Sequence, residues 1–359
     1  MAAWVKGGAA DADAAIDAAA ALLAQARMPV IAGLCAELSA IRAAYGLAGA
    51  IGASLDPIAG PSLYAELGSL SRSGAMGTTP AEAIGRADAL FVVGNAPWDR
   101  PIVASLAEGG PTRGRAAGAE RTILSLGGPR NGATRHVAYP AEPGGLAIAI
   151  AHLRACAKGH LADETAYHDL ARRLFAAQYG VVLYAAEEVG EHGVEMLQGL
   201  IKDLNETTRF FSLPVSDPFQ GRALLQLSAW TTGQAPRVGF GRGLPEHDPW
   251  RFDGARQVAS GEADAALWLA SLPAPRPDWL SRLPSIAIVG EGSADATADA
   301  AEIVIAVGVP GASAGGAIWD ERRGAIAYIP ASGHAAERDA AAVIEAIRDR
   351  INAGTLAEC

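Results

Sequence analysis

Short runs of β-branched and aliphatic residues, each closed by glycine or another turn former, alternate along this chain with longer alanine-rich segments of helical period. Residues 29–34, 89–93, 122–126, 136–139, 180–184, 209–213, 265–270, 285–289 and 302–306 read as strands of this kind. A strand that is apolar on both faces needs helices above and below it, which a parallel sheet with crossover helices supplies. Helices are predicted over 11–25, 37–51, 144–158, 163–178, 194–204, 218–228, 252–260 and 335–351, with a hairpin at 317–329. The pattern predicts an α/β chain of doubly wound, mostly parallel sheets. At 359 residues it is long for one domain and suits two.

Composition removes several function classes. Half the residues are hydrophobic and 19% charged, which excludes disorder. The net charge of -10, from 29 basic against 39 acidic residues, comes without any stretch of Lys or Arg interleaved with aromatics, so no nucleic-acid partner is expected. No segment reaches the roughly 18–20 uninterrupted apolar residues of a membrane span. The run at 14–23 lacks the basic flank of a signal peptide, and a cytoplasmic location is expected. Cys35, Cys156 and Cys359 are too few and too scattered for a disulfide framework or a four-thiolate cluster.

Ligands of open parallel sheets sit at the carboxyl ends of strands. Glycine-rich strings follow predicted strands at 94–97, 127–132, 290–293 and 308–316, but none is a G-x-G-x-x-G fingerprint or a P-loop. Each alone reads as a strand-to-helix turn; four together make a nucleotide-shaped cavity conceivable. His152, Cys156 and His160 share a helical face without a fourth ligand and read as packing, not metal binding. Cys35 reads as a small buried thiol. No G-x-S-x-G occurs, the nearest small-residue string being Gly60, Pro61 and Ser62. Glu187, Glu188 and Glu191 at a helix start read as a solvated face, and Trp319 to Arg323 as a hairpin tip.

Several strings in order carry a resemblance. PVIAGL from Pro29, DPIAGPS from Asp56 and GRADALFVVGNAP from Gly85 resemble the molybdopterin oxidoreductases, and more closely the B subunits of formylmethanofuran dehydrogenases. WTTGQ from Trp230, GFGRGLP from Gly239, GEADAALWLAS from Gly261 and ADAAEIVIA from Ala298 strengthen the closer match, which spans nearly the whole chain. The resemblance implies a vestigial pterin pocket at Ile58, Ala59, Gly60, Ser62, Gly94, Asn95 and Pro97. It also implies a first domain of 1–57 plus 216–359, with 58–215 inserted as a second domain.

Two departures separate the chain from the metal-carrying relatives. Their iron–sulfur centre is held by an N-terminal Cys cluster, whereas this chain opens almost directly on its first helix. Their metal ligand is a Cys or selenocysteine two places before Gly-Pro-Ser, followed by His; here Ile58 and Ala59 stand there. An aliphatic side chain has no lone pair for a metal. No molybdopterin, tungsten, molybdenum or iron–sulfur cluster is therefore expected.

The combination resembles the B-subunit family of bacterial formyltransferase/hydrolase complexes. By that resemblance the partners are A, C and D subunits. The complex takes formyl from formyl-tetrahydromethanopterin through a furan-type carrier and releases formate, with hydrolysis in A and formyl transfer in D. The B-type chain would be a non-catalytic scaffold, and its vacated pocket near Ile58, Gly94 and Asn95 should be filled by side chains or closed by loop collapse. Two other readings stand beside it: a binding module retaining a nucleotide, a pterin or part of the furan carrier, and a working pterin enzyme without a protein thiolate.

Overall fold

The computed structural model describes residues 2–358 except 129–135, 142–143, 163, 294–295, 297 and 337. In chain order its strands are β1 (Ala3–Val5), β2 (Gly8–Ala10), β3 (Pro29–Gly33) and β4 (Ser54–Pro57), then β5 (Ala89–Val93), β6 (Thr122–Leu126), β7 (His136–Tyr139), β8 (Gly180–Tyr184) and β9 (Phe210–Pro214). They continue with β10 (Val238–Gly239), β11 (Glu246–His247), β12 (Ala265–Ala270), β13 (Ser285–Gly290), β14 (Ile303–Val307), β15 (Gly316–Asp320) and β16 (Ala325–Ile329). The expected α/β class holds.

The chain forms two compact units. The first comprises 1–60, 218–319 and 326–359; the second comprises 61–217 together with the hairpin tip 320–325.

In the first unit a nine-stranded sheet runs β11-β10-β4-β3-β12-β13-β14-β1-β2. The five central strands, β4 to β14, are parallel, while β10 and β1 join the two sides antiparallel. Strand side chains alternate between faces. Ile31, Leu267, Leu269, Ile286, Ile288, Ile303 and Ile305 accordingly meet one helical layer, formed by Ala12–Gln25, Leu38–Ile51, Gly221–Thr232 and Ala340–Glu358. Val30, Ala32, Ala266, Trp268, Ala287, Val289 and Val304 meet a separate core on the other face. The second unit repeats the logic in five parallel strands ordered β7-β6-β5-β8-β9. Phe91, Leu124 and Val182 point to one core; Leu90, Val92, Val181 and Leu183 point to the other.

Among the parallel strands of each sheet the order reverses direction once, between β3 and β12 in the first and between β5 and β8 in the second. Those two reversals are the places where an open α/β sheet leaves a crevice at its carboxyl edge. No helix of the described residues is long and apolar enough to cross a membrane.

Several elements differ from expectation. β4 and the hairpin β1–β2 were not predicted, nor were the helices Gly60–Ser73, Pro80–Arg86 and Pro101–Ala107. The sequence of β4, Ser-Leu-Asp-Pro, carries two polar residues and a proline, and is buried only because distant side chains satisfy it. The closing helix begins at Ala340 and extends to Glu358, later at both ends than its apolar period indicated.

Candidate functional site

The carboxyl edge of the first unit is built on a tight turn. After β3, Gly33 has φ +86° and Leu34 φ +57°, which swings the chain so that the Cys35 amide donates to the Leu269 carbonyl at 3.1 Å and the Leu272 amide to the Cys35 carbonyl at 3.1 Å. The turn delivers Glu37 to the start of helix Leu38–Ile51, directly across the reversal point. Its Oε2 accepts from the Ser271 hydroxyl at 2.8 Å, while Oε1 is buried with no hydrogen-bond partner among the described residues. Burial raises the Glu37 carboxyl above the ordinary glutamate range, the Ser271 hydrogen bond opposes that, and nearby Asp339 adds to it. The residues after β12 and β3 thus close on each other around a side chain of the protein itself.

One strand further out, β4 ends in Asp56 and Pro57. Asp56 Oδ1 pairs with Arg237 Nε at 2.8 Å, and its Oδ2 accepts from the Gly254 amide at 2.9 Å. Arg237 Nη2 reaches Asp253 at 2.7 Å, and Nη1 donates to the Pro249 carbonyl at 2.6 Å. Burial pushes the Asp56 carboxyl up and Arg237 pulls it back. Ser54, two residues earlier, donates to Gln257 Oε1 at 2.8 Å. These partners explain how a polar strand can lie inside the sheet.

Ile58, Ala59 and Gly60 follow. The Ile58 amide donates to the Gly33 carbonyl at 3.0 Å, and its half-buried side chain packs on the core that contains Cys35 and Trp268. Ala59 is buried. Gly60 opens the next helix so close to Arg237 that a Cβ there would stand 3.2 Å from Nη2.

At the carboxyl edge of the second unit, β5 leads directly into Gly94 with φ +86°. The amides of Asn95 and Ala96, opening the short turn Ala96–Asp99, point at one carboxylate: Glu188 accepts them at 2.7 and 2.9 Å. A side chain at Gly94 would collide with that carboxylate, since its Cβ would lie inside van der Waals distance of both oxygens. Glu188 comes from the start of the helix after β8, so it spans the second reversal point. Paired amides at a strand end are where an open sheet receives an anionic ligand group. Here the group is intramolecular. Pro97 is buried in the same turn, and Ser62 is buried in helix Gly60–Ser73.

This corrects the reading of Glu188 as part of a solvated face, while Glu187 and Glu191 are exposed as expected. Glu188 closes the Gly94 loop, and Glu191 pairs with Arg72 at 2.5 Å. The hallmark residues Ile58, Ala59 and Gly60 lie in the first unit; Ser62, Gly94, Asn95 and Pro97 lie in the second. Glu37 and Arg237 went unread as site residues, and Glu188 was read only as solvated. The position of Glu188, one turn into the helix after a strand at a reversal, is a signal once strand order is known; Arg237 stands in no motif. Of the glycine-rich string at 127–132, residues 129–132 lie outside the described residues.

No family model matches the chain. The B subunit of the formyltransferase/hydrolase complex Fhc of Methylorubrum extorquens is 68% identical over 355 residues, covering 98% of each protein. A chain in the crystal structure of the FhcABCD complex of that organism with methylofuran superposes with a TM-score of 0.94, at 68% identity and 99% coverage of both. This chain belongs to the family of formyltransferase/hydrolase complex B subunits. A more distant relative is the B subunit of the tungsten-containing formylmethanofuran dehydrogenase 2 of Methanocaldococcus jannaschii, 28% identical over 291 residues that make up 73% of this chain and 65% of the relative.

Positions 58 and 59 present hydrocarbon, Cys35 is fully buried against the Pro273 carbonyl, and no group of three or more His, Cys, Asp or Glu able to hold a metal ion occurs among the described residues. The chemistry the edge does supply is self-satisfaction: carboxylates meeting amides, a hydroxyl and a guanidinium.

If Glu188 stands in for a ligand group, Glu188→Ala should cost about 3 kcal/mol, the low end for two hydrogen bonds to a charged acceptor at a half-buried position. Acetate should then raise the melting temperature of the variant and leave that of the parent unchanged. Thermal unfolding in acetate and in chloride of equal ionic strength measures this; an equal response of both proteins would show that the amides form no anion hole.

Proposed function

We propose that this chain is a subunit without chemistry of its own in a four-subunit formyltransferase/hydrolase complex. It assembles with A, C and D subunits in the cytoplasm, and the complex moves a formyl group from formyl-tetrahydromethanopterin through a furan-type carrier and releases it as formate. The chain holds no pterin, molybdenum, tungsten or iron–sulfur cluster. The observation that carries this reading is the Glu188 carboxylate seated on the Asn95 and Ala96 amides, where a bound ligand would otherwise find its donors. The aliphatic pair Ile58 and Ala59 supports it, since neither side chain has a lone pair to give a metal. Identity of 68% over nearly the full length supports the partner assignment.

An affinity-tagged copy purified from its source should bring down three other subunits in fixed proportion. Elemental analysis of that complex should find molybdenum and tungsten far below one atom per chain; one atom of either per chain would end the proposal. Ile58→Ala should cost about 1–2 kcal/mol, because a half-buried methyl cluster is lost from a core that can partly close over it. Turnover should fall only as far as assembly falls. An Ile58→Ala complex that assembles fully and yet loses turnover would assign chemistry to this chain.

A further inference from the structure

The amino edge of the second unit's sheet carries a different kind of site. Five-residue strands place it about 15 Å from the Gly94 loop at the opposite edge. There a pocket of about 320 Å³ is lined by Arg86, Arg115, Arg209, Gln178, Tyr179 and Phe211. Three arginines lining one recess stand out in a chain whose acidic residues outnumber its basic ones, 39 to 29.

The recess is held in shape from below. Tyr179 is half-buried, hydrogen-bonds Thr78 through its hydroxyl at 2.9 Å, and stacks at a tilt on Phe211 with 5.0 Å between ring centroids. The Arg86 guanidinium lies over the Tyr179 ring at 5.2 Å and is tied to Glu82 at 2.9 Å. The Asp88 carboxylate lies at the same edge, with both oxygens turned to the backbone, accepting the Gln178 and Tyr179 amides at 2.9 and 2.8 Å. Arg115 and Arg209 are exposed and have no carboxylate partner among the described residues; Arg209 donates to the neighbouring Thr208 carbonyl. Like charges gathered this way repel one another unless an anion lies between them. Guanidinium forks match tetrahedral and planar oxyanions bidentately.

We propose that this pocket binds a small, multiply charged oxyanion of the phosphate class, with Arg115 and Arg209 as its direct donors and Arg86 fixed behind them on Tyr179. The recess is large enough for a phosphate with a compact organic substituent, and the edges of Tyr179 and Phe211 would take an aromatic one. The inference is independent of the scaffold reading, since it concerns the opposite edge of the sheet.

Titration calorimetry at low salt, on the full chain and on the assembled complex, tests it with two probes, inorganic phosphate and adenosine 5′-monophosphate. Expected is one site per chain for phosphate, weakened about tenfold or more by the double variant Arg115→Ala/Arg209→Ala, in line with loss of charge-assisted hydrogen bonds. Both positions are exposed, so the double variant should melt with the parent in phosphate-free buffer. Tighter binding of the nucleotide identifies a substituted phosphate as the natural class; equal or weaker binding identifies the free anion. No binding, or binding that the double variant leaves unchanged, overturns the proposal. So does binding by the isolated chain that vanishes in the complex, which would make the recess a docking point for an acidic segment of a partner subunit.

Discussion

Replacing Arg237 by alanine is expected to lower stability by about 3–5 kcal/mol, because it strips the counter-ion from a buried carboxylate and leaves that carboxylate behind. Asp56 is inside the sheet of the first unit, and Arg237 is the largest influence opposing its desolvation. Arg237 also gathers Asp253 and the Pro249 carbonyl, so its loss frees the 248–254 segment as well. The pH dependence gives this prediction its own signature. A carboxyl whose folded pKa lies above its unfolded value favours folding most when both states are protonated. That contribution declines as pH rises from the ordinary aspartate range through the raised folded value. Without Arg237 the folded value moves further up, and the decline becomes deeper. The gap between parent and variant should therefore be wide at neutral pH and narrow as pH falls toward about 4. Urea unfolding at several pH values measures it; a gap independent of pH would mean that Arg237 acts through packing alone.

Gly33→Ala should be nearly as damaging, at about 2–5 kcal/mol. Its φ of +86° costs an L-residue about 1–2 kcal/mol. The new methyl would also stand 2.7 Å from the Leu269 carbonyl oxygen and 2.9 Å from the Trp268 ring. Neither neighbour can retreat, because both belong to β12 in the middle of the sheet, and overpacking of that kind adds about 1–3 kcal/mol. Gly7→Ala separates the two contributions: φ is +78° there and nothing lies within 4 Å, so only the backbone part should appear. Equal losses at both positions would remove the close approach at the β3 turn from the account.

The strands that carry continuous apolar runs, β3, β5, β8, β12, β13 and β14, were legible because burial on both faces selects such a composition over a short stretch. β4 was not. Its Ser54 and Asp56 are polar residues made tolerable by Gln257 and Arg237, some two hundred positions away, and nothing local announces such a partnership. The helix Pro80–Arg86 was missed although its start carries a signal, Thr79 capping the Glu82 amide with Pro80 in the first turn. At the candidate site, Gly94 could be placed at a strand end from sequence, whereas Ile58 and Ala59 were reached only through the family resemblance, because β4 before them was unread. What fills the crevices could not, because Glu188 meets Asn95 only once the order β5-β8 is known.

The register of the central sheet has a consequence for the nascent chain. Ala32 of β3 pairs with Trp268 of β12, so the middle of the first sheet cannot close until the ribosome has passed the latter residue. All five strands of the second sheet lie between Ala89 and Pro214 and emerge in the interval. At about 5–20 residues per second, β3 and its apolar neighbours wait on the order of ten seconds or more, unpaired on one side, for their partner. During that wait the protein depends on whatever shields a bare strand edge in the cell, and translation speed through the intervening segment becomes a determinant of its yield.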